Sequence, residues 1–495
     1  MTDHKSSYRQ ILKTTSLFGG VQFLTIIISI VRTKLIAVFI GPAGMGIIAL
    51  LNSAMNTITG LSSLGIETSG VKHVSAKYKE GELQSVSRIV SIIKKLVLLT
   101  GIIGTLFTIL FASWLSTITF GSGKFSSAFV FIAVTVLFKQ VTAGQLVILQ
   151  GLRRMRLLAK ANFYGNLLGL LVSVPLYYYY GIDAIVPTII VISLSALLFS
   201  FYYSNQVGIQ NENIAARQLL NEGKSVIKLG ILLTISGLLT LLTTYLIQIY
   251  IGSSGGLEQV GFYNAGFTLL NSYVGIIFTV MSTDYFPKLS AISEDNGKVR
   301  ESVKQQSFIS VLIITPIIIL FLSFIPLIIK LIYTPRFNVI IPMVCFGILG
   351  MLFRAVSWSM GFVIIAKGDS NIFLRTAIGF NIISLVLNFL GYYYYGLQGL
   401  GLSFLVYYVI HFLGLKLITQ KRYGLYFEKE FYFTYLVCIA LCGITFLMRY
   451  IPNPFLQYTL MALMSVVSIT FVLYQLNKKI ELKSVFNALI NKKND

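Results

Sequence analysis

The sequence predicts an all-α integral membrane protein: two parallel six-helix repeats around a central cleft, followed by two further C-terminal helices, about fourteen transmembrane helices in all. Three observations predict it. Of the 495 residues, 11% are charged and 56% hydrophobic, where a soluble domain carries about 25% charged residues. Apolar runs long enough to cross a bilayer recur from end to end. The sequence also repeats itself at an interval near 215 residues.

The apolar runs place spans near 14–40, 47–70, 96–118, 128–150, 163–180, 184–204, 229–251, 262–284, 308–332, 339–366, 376–395, 401–417, 431–448 and 455–476. The first is not a cleaved leader. It is preceded by His4, Lys5, Arg9 and Lys13, and its apolar run to Ile40 is too long for a signal h-region. Of 39 Lys and Arg, 31 fall on the side of the N-terminus, Lys416 among them at the inner end of its span. Only Lys124, Arg336 and Arg449 fall on the other side, and Arg32, Lys34, Lys139, Lys330 and Arg354 lie within spans. The positive-inside rule then places both termini in the cytoplasm. This distribution over many short loops, rather than one basic face, accounts for the net charge of +22 without nucleic acid.

The repeat is read from two YYYYG blocks. Tyr177–Tyr180 precede Gly181, and Tyr392–Tyr395 precede Gly396. Backwards from there, Leu137-Phe138-Lys139 aligns with Leu352-Phe353-Arg354 and Asn166 with Asn381, all 215 apart. Leu50-Leu51-Asn52-Ser53 matches Leu269-Leu270-Asn271-Ser272 at 219. Six spans is an even number, so both copies enter from the same side, related by a pseudo-two-fold along the membrane normal. The expected organisation is a lobe over 1–210, a second over 211–425, a helix pair over 426–477 and a basic tail over 478–495. The tyrosine blocks belong to an interfacial aromatic belt.

A charge at bilayer depth costs at least about 2.5–3.5 kcal/mol on insertion scales, so it normally faces a cavity or a partner. Lys139 and Arg354 are both near mid-span and are repeat equivalents. No carboxylate lies at matching depth to pair with either. In the first span Gln22, Thr25, Ser29 and Arg32 form one polar face, with Lys34 roughly 200° away. In the second, Asn52, Asn56, Thr59, Ser63 and Glu67 do the same. Glu67 and Asp284 are candidates for ion coupling; interfacial pairs with Lys72 or Lys288 compete with that role. A cleft lined by Arg and Lys and poor in acids suits an anion, and guanidinium matches phosphate bidentately. The substrate-binding candidates are Arg32, Lys34, Lys139, Arg354, Asn52 and Asn56.

Enzyme chemistry finds little support. The histidines are His4, His73 and His411, no Walker loop occurs, and Cys345, Cys438 and Cys442 lie inside apolar runs where core packing accounts for them. No metal and no cofactor are expected beyond a coupling ion, H⁺ or Na⁺.

The run Lys34-Leu35-Ile36-Ala37-Val38-Phe39-Ile40-Gly41-Pro42-Ala43-Gly44-Met45-Gly46 resembles the entry to the second helix of Wzx-type polysaccharide (O-antigen) flippases. These belong to the MOP superfamily, with the MATE multidrug exporters and the lipid II flippases. The resemblance covers roughly residues 10–420. It implies an undecaprenyl-diphosphate-linked oligosaccharide as substrate, bound by its diphosphate in a cationic cavity. It further implies membrane lipids, a polysaccharide polymerase and a chain-length regulator as partners. It selects Lys34, whereas the polar stripe selects Arg32; a kink near the outer end of the first helix would reconcile them. Two spans beyond the usual twelve match the lipid II branch. The competing readings are a MATE-like antiporter, which would want carboxylates, and a membrane-embedded polymerase or ligase, which would want a large outer loop.

The charge asymmetry gives a direct test. A reporter fused after Asp495 should be active only as a cytoplasmic reporter, and external accessibility of that end would refute the topology.

Overall fold

The computed structural model describes residues 27–80, 83–209, 212 and 214–480. Among them there is no strand. The helices are α1 (residues 27–39), α2 (Gly41–Ser62), α3 (Ile66–Glu80), α4 (Leu83–Leu110), α5 (Ala112–Phe120), α6 (Ser126–Ile132), α7 (Val134–Gly151), α8 (Met155–Tyr180) and α9 (Ile185–Asn205). They continue with α10 (Ala216–Gly255), α11 (Leu257–Thr268), α12 (Ile276–Ala291), α13 (Asn296–Ile332), α14 (Ile341–Ala366), α15 (Ser370–Tyr423), α16 (Lys429–Met448) and α17 (Pro454–Ile480).

Eleven stretches among the described residues are long and apolar enough to cross a membrane. Two of them, Met155–Asn205 and Ser370–Tyr423, run to 51 and 54 residues. Straight, they would reach about 75–80 Å against a hydrocarbon thickness of about 30 Å. Both fold back at the glycine that closes a tyrosine block: Gly181 at φ 54° and Gly396 at φ 55°, ψ −138°. Past Gly396 the two arms of α15 touch, Ser403 Oγ donating to Leu387 O at 2.5 Å. Each stretch therefore crosses twice. That makes thirteen crossings among the described residues; of the first expected span, 14–40, only the part from residue 27 on is described. In each block the last three tyrosines are well exposed, Tyr178–Tyr180 and Tyr393–Tyr395, as a belt requires, while Tyr177 is buried.

The chain forms two compact units, residues 28–264 and the residues from 265 on. In the first, α10 lies along α2 and α3. Ser69 Oγ donates to Val226 O at 2.6 Å, and a Cβ on Gly65 would stand 2.1 Å from Gly230 O. The expected second span is not one helix. Leu64 and Gly65 sit at φ 49° and 69° and end α2. Residues 66–80, of which the part beyond 70 was expected to be loop, form α3, which carries His73 and packs against α7 and α10.

The duplication is visible in the backbone. Arg153 and Gly368, 215 apart, share a positive φ (56° and 68°), each two residues beyond the end of α7 or α14. The two helices also end on matching bonds, Leu152 N–H to Gln150 and Ile148 carbonyls and Lys367 N–H to Ile365 and Val363 carbonyls. A local two-fold lies within the first unit, where α2 meets the start of α11. A Cβ on Gly46 would stand 1.9 Å from Leu257 O, and one on Gly261 would stand 1.9 Å from Pro42 O. Pro42 with Leu257 and Gly46 with Gly261 are each 215 apart, so each helix presents the same glycine to the same carbonyl of the other. Only small residues allow backbones to approach this closely.

In the second unit α16 and α17, which have no counterpart in the repeat, pack on α13. Pro326 inside α13 has no N–H to give the carbonyl four residues back, Leu322. That carbonyl instead accepts from Arg449 Nη1, at the end of α16, at 2.9 Å. At the other end of the pair, Glu430 accepts from Lys478 and Lys479 at 3.0 and 2.9 Å. The free thiols Cys345, Cys438 and Cys442 are buried. Of the expected tail, 478–480 continue α17, and 481–495 lie outside the described residues.

Leaving a buried carbonyl unmet costs about 1–3 kcal/mol. Arg449→Ala should therefore lower the melting temperature in detergent, and lower it less in a Pro326→Ala background, where the helix meets its own carbonyl. Equal losses in both backgrounds would disconnect Arg449 from the kink.

Candidate functional site

Lys139 stands in the second turn of α7 and Arg354 near the middle of α14. Neither forms an ion pair among the described residues. Each is held instead by one asparagine. Lys139 Nζ donates to Asn56 Oδ1 at 2.9 Å, and Arg354 Nη1 donates to Asn271 Oδ1 at 2.7 Å. The partners are 83 residues apart in both cases. Since Lys139 and Arg354 are 215 apart, so are Asn56 and Asn271, and the bridge is one element present twice. This corrects the 219-residue match that equated Asn52 with Asn271. The discrepancy of four residues is about one helical turn, so both alignments keep the same helix face, and a pattern of apolar and polar positions cannot separate them.

The two copies are built differently around this shared bond. In the first unit α2 is regular through Asn56. It is tied to α7 by buried Gln140, whose Nε2 donates to Thr59 O at 2.9 Å and Ser62 Oγ at 3.1 Å. In the second unit Asn271 sits in a π-helical segment, Leu269–Val274, closed by Gly275 N–H to Leu270 O at 2.9 Å. Such an insertion widens one turn and re-aims its side chains, and π-bulges recur at functional sites. Arg354 is further flanked by the rings of Phe278 and Tyr408, 5.3 and 5.4 Å from its guanidinium carbon, and its Nη1 reaches Met351 Sδ at 3.8 Å.

The amide partner sets what the site can do. A carboxylate would neutralise the cation, whereas an amide oxygen satisfies one N–H and leaves the full positive charge. Lys139 and Arg354 are both partly exposed. The arrangement is a pre-positioned cation able to accept an anion without first breaking a salt bridge.

The remaining expected residues fall elsewhere. Gln22 and Thr25 lie outside the described residues. Ser29, Arg32 and Lys34 lie on α1, all half-buried. The helix is unbroken from 27 to 39 and turns only at Ile40. Arg32 and Lys34 thus stay about 200° apart, and no kink separates them. Asn52 lies one turn before Asn56, half-buried. Glu67 does not continue the polar stripe of α2, since the break at Leu64 and Gly65 resets the helical phase; it sits exposed in the first turn of α3. Asp284 is paired with Lys288 at 2.5 Å on α12, the interfacial pair that the sequence offered as the competing role. The aromatic flank of Arg354 was not foreseen. Its signal was present, in that Phe278 and Tyr408 are aromatic on faces that carry polar or small residues in the other half, but it needed the fold to bring three helices together.

A sequence profile described as polysaccharide biosynthesis protein matches residues 35–342, more than half of the chain. The chain belongs to this polysaccharide biosynthesis protein family. The matched region opens within the Lys34–Gly46 run that carried the resemblance to MOP flippases. Solved structures share the fold. An inward-facing multidrug resistance MATE family transporter of the MOP superfamily has a TM-score of 0.69 at 12% identity, over 80% of this chain and 94% of that one. The lipid II flippase MurJ, inward closed, has a TM-score of 0.67 at 15% identity, over 93% and 99%. A MOP superfamily transporter from Pyrococcus furiosus has 0.58 at 14%, over 85% and 96%. No curated protein sequence matches the chain. The MOP superfamily fold expected from the sequence is thereby borne out, in a multi-pass membrane protein of the polysaccharide biosynthesis family.

The amide bridges make an opposite-sign test. Asn271→Asp and Asn56→Asp convert each bridge, in which the donor is already charged, into a full ion pair. Each should raise the melting temperature in detergent, because the cation is then filled by an internal anion. A fall in melting temperature for both variants would contradict the contacts.

Proposed function

We propose that this chain is a flippase that carries an undecaprenyl-diphosphate-linked oligosaccharide, a unit of O-antigen or a related surface polysaccharide, from the cytoplasmic to the outer leaflet of a bacterial inner membrane. It works by alternating access. The observation that carries the reading is the duplicated cation–amide bridge, Lys139 with Asn56 and Arg354 with Asn271. Family membership supplies the polysaccharide context.

In this reading each cation contacts the diphosphate during the translocation cycle. Binding is electrostatic and reversible. Asn56 and Asn271 hold the side chains in place, so little rotamer freedom is lost on binding. No covalent step is needed, since the lipid-linked sugar leaves as it entered. Arg32 and Lys34 on α1 are proposed as further substrate contacts. Glu67 is proposed as an ion-coupling residue for H⁺ or Na⁺, with Asp284 the weaker candidate because Lys288 already engages it. A MATE-like exporter of organic cations fits the bridges poorly, because two uncompensated cations repel such a substrate. The Pyrococcus furiosus transporter of the MOP superfamily has a binding pocket of reverse polarity, which suggests a different function for that protein.

Deletion of the gene should trap lipid-linked oligosaccharide on the cytoplasmic leaflet. Wild-type protein should restore surface polysaccharide. Lys139→Ala and Arg354→Ala should each lower it at least tenfold while reaching the membrane in normal amount, since removing a cation eases insertion. Arg354→Lys should fall between, keeping the charge and losing the fork. Normal surface polysaccharide from both alanine variants would overturn the reading.

A further inference from the structure

The two copies of the bridge share their bond and differ in everything around it. Beside Arg354 the ring of Phe278 is buried at 2% exposure and forms a floor. Trp358, four residues on and thus on the same face of α14, tilts onto that floor at 5.7 Å and 42°. Tyr408, from the second arm of α15, has its ring centre 5.4 Å from the guanidinium carbon. Phe278 is enclosed, but Trp358 and Tyr408 are both only half-buried. The same positions counted 215 back are Ser63, Ala143 and Ser193. Ser63 and Ser193 return their hydroxyls to their own helices, to Gly60 O and Ile189 O, each at 2.9 Å. Among the described residues no ring makes a cation–π contact with Lys139. Duplication thus produced two cation sites, one with small residues at these positions and one walled by aromatic rings.

The chemistry of the two surroundings differs accordingly. A lysine ammonium is a point charge that attracts a phosphate from any direction. A guanidinium with rings 5.3 and 5.4 Å from its central carbon has less room to turn than a lysine ammonium, and its N–H groups form a planar fork. Half-exposed tyrosine and tryptophan beside it offer a flat apolar face with a polar edge. That surface is complementary to a pyranose ring, which has C–H groups on its faces and hydroxyls on its rim; C–H contacts with such rings are individually weak and add over a face. A buried group nearby points the same way. His411, one turn beyond Tyr408, stacks on Tyr407 at 5.6 Å and keeps Nδ1 buried without a hydrogen-bond partner. A cost of that kind is typically retained where function holds it.

We propose that the Arg354 site reads the sugar attached directly to the diphosphate, through Tyr408 and Trp358, whereas the Lys139 site holds phosphate alone. This rests on the flippase reading and deepens it: substrate selection sits in the second copy of the duplicated site, and the first copy is indifferent to the sugar.

The test uses the purified full chain in nanodiscs and two probes, a C55 polyprenyl diphosphate without sugar and the same lipid bearing one N-acetylhexosamine. Wild-type protein should bind the sugar-bearing lipid about tenfold more tightly. Tyr408→Leu and Trp358→Leu, which keep apolar bulk and remove the ring, should lose that increment and weaken the sugar-bearing lipid several-fold more than the sugar-free one. Tyr408→Phe, which keeps the ring, should retain most of the increment, and an unchanged melting temperature of the leucine variants shows that they remain folded. Arg354→Ala should weaken both lipids. If the two leucine variants weaken both lipids equally, the rings only hold Arg354 and the proposal fails. It fails also if neither variant alters either affinity. Undiminished binding of the sugar-free lipid by both Arg354→Ala and Lys139→Ala would instead overturn the diphosphate reading beneath it.

Discussion

A cation at bilayer depth must be satisfied without being cancelled, and the hydrogen bond from Lys139 to Asn56, with its copy from Arg354 to Asn271, meets both demands. Water is scarce at that depth, so a bare ammonium or guanidinium is expensive. A carboxylate partner would remove the expense and the charge together. An amide oxygen takes one N–H and leaves the charge for something that arrives later. Much of the local architecture serves this bond. Gln140 locks α7 to α2 beside it in the first unit, and a π segment presents Asn271 to α14 in the second.

The duplication shows where symmetry was kept and where it was released. It was kept in the backbone: the paired turns at Gly181 and Gly396, the matched ends of α7 and α14, and the reciprocal approach of Gly46 and Gly261 to carbonyls 215 residues apart. It was released in the side chains around the cations and in the shape of the helix that bears the asparagine. Packing also ignores the repeat boundary. By sequence α10 opens the second copy, yet it packs along α2 and α3 of the first. A duplicated sequence need not fold into two units cut at the same place, because a helix packs wherever its small residues allow close approach, here at Gly65 and Gly230.

The spans were legible because each is an apolar run of bilayer length, and the repeat was legible because YYYYG and the lone midspan cations are rare. Lys139 and Arg354 could be chosen on cost alone. Their partners were harder to read. Asn56 was in view as one member of a polar stripe, but its equivalence to Asn271 was hidden by a one-turn ambiguity that apolar sequence cannot resolve. The break at Leu64 was invisible, since a leucine in the left-handed region has no sequence signature, and Glu67 was therefore read onto the wrong helix. Arg449 was read as a loop charge; its role follows only once Pro326 is seen to leave Leu322 O without a donor. In each case the missing information was long-range contact, which periodicity within one helix does not carry.

The central claim is that the repeated cations recognise a diphosphate. The most direct measurement is native mass spectrometry of the full chain with an equimolar mixture of C55 polyprenyl diphosphate and monophosphate. The account predicts a preference for the diphosphate in the wild type, a reduced preference in Lys139→Gln and in Arg354→Gln, and none in the double variant. A diphosphate preference that survives in the double variant would contradict it.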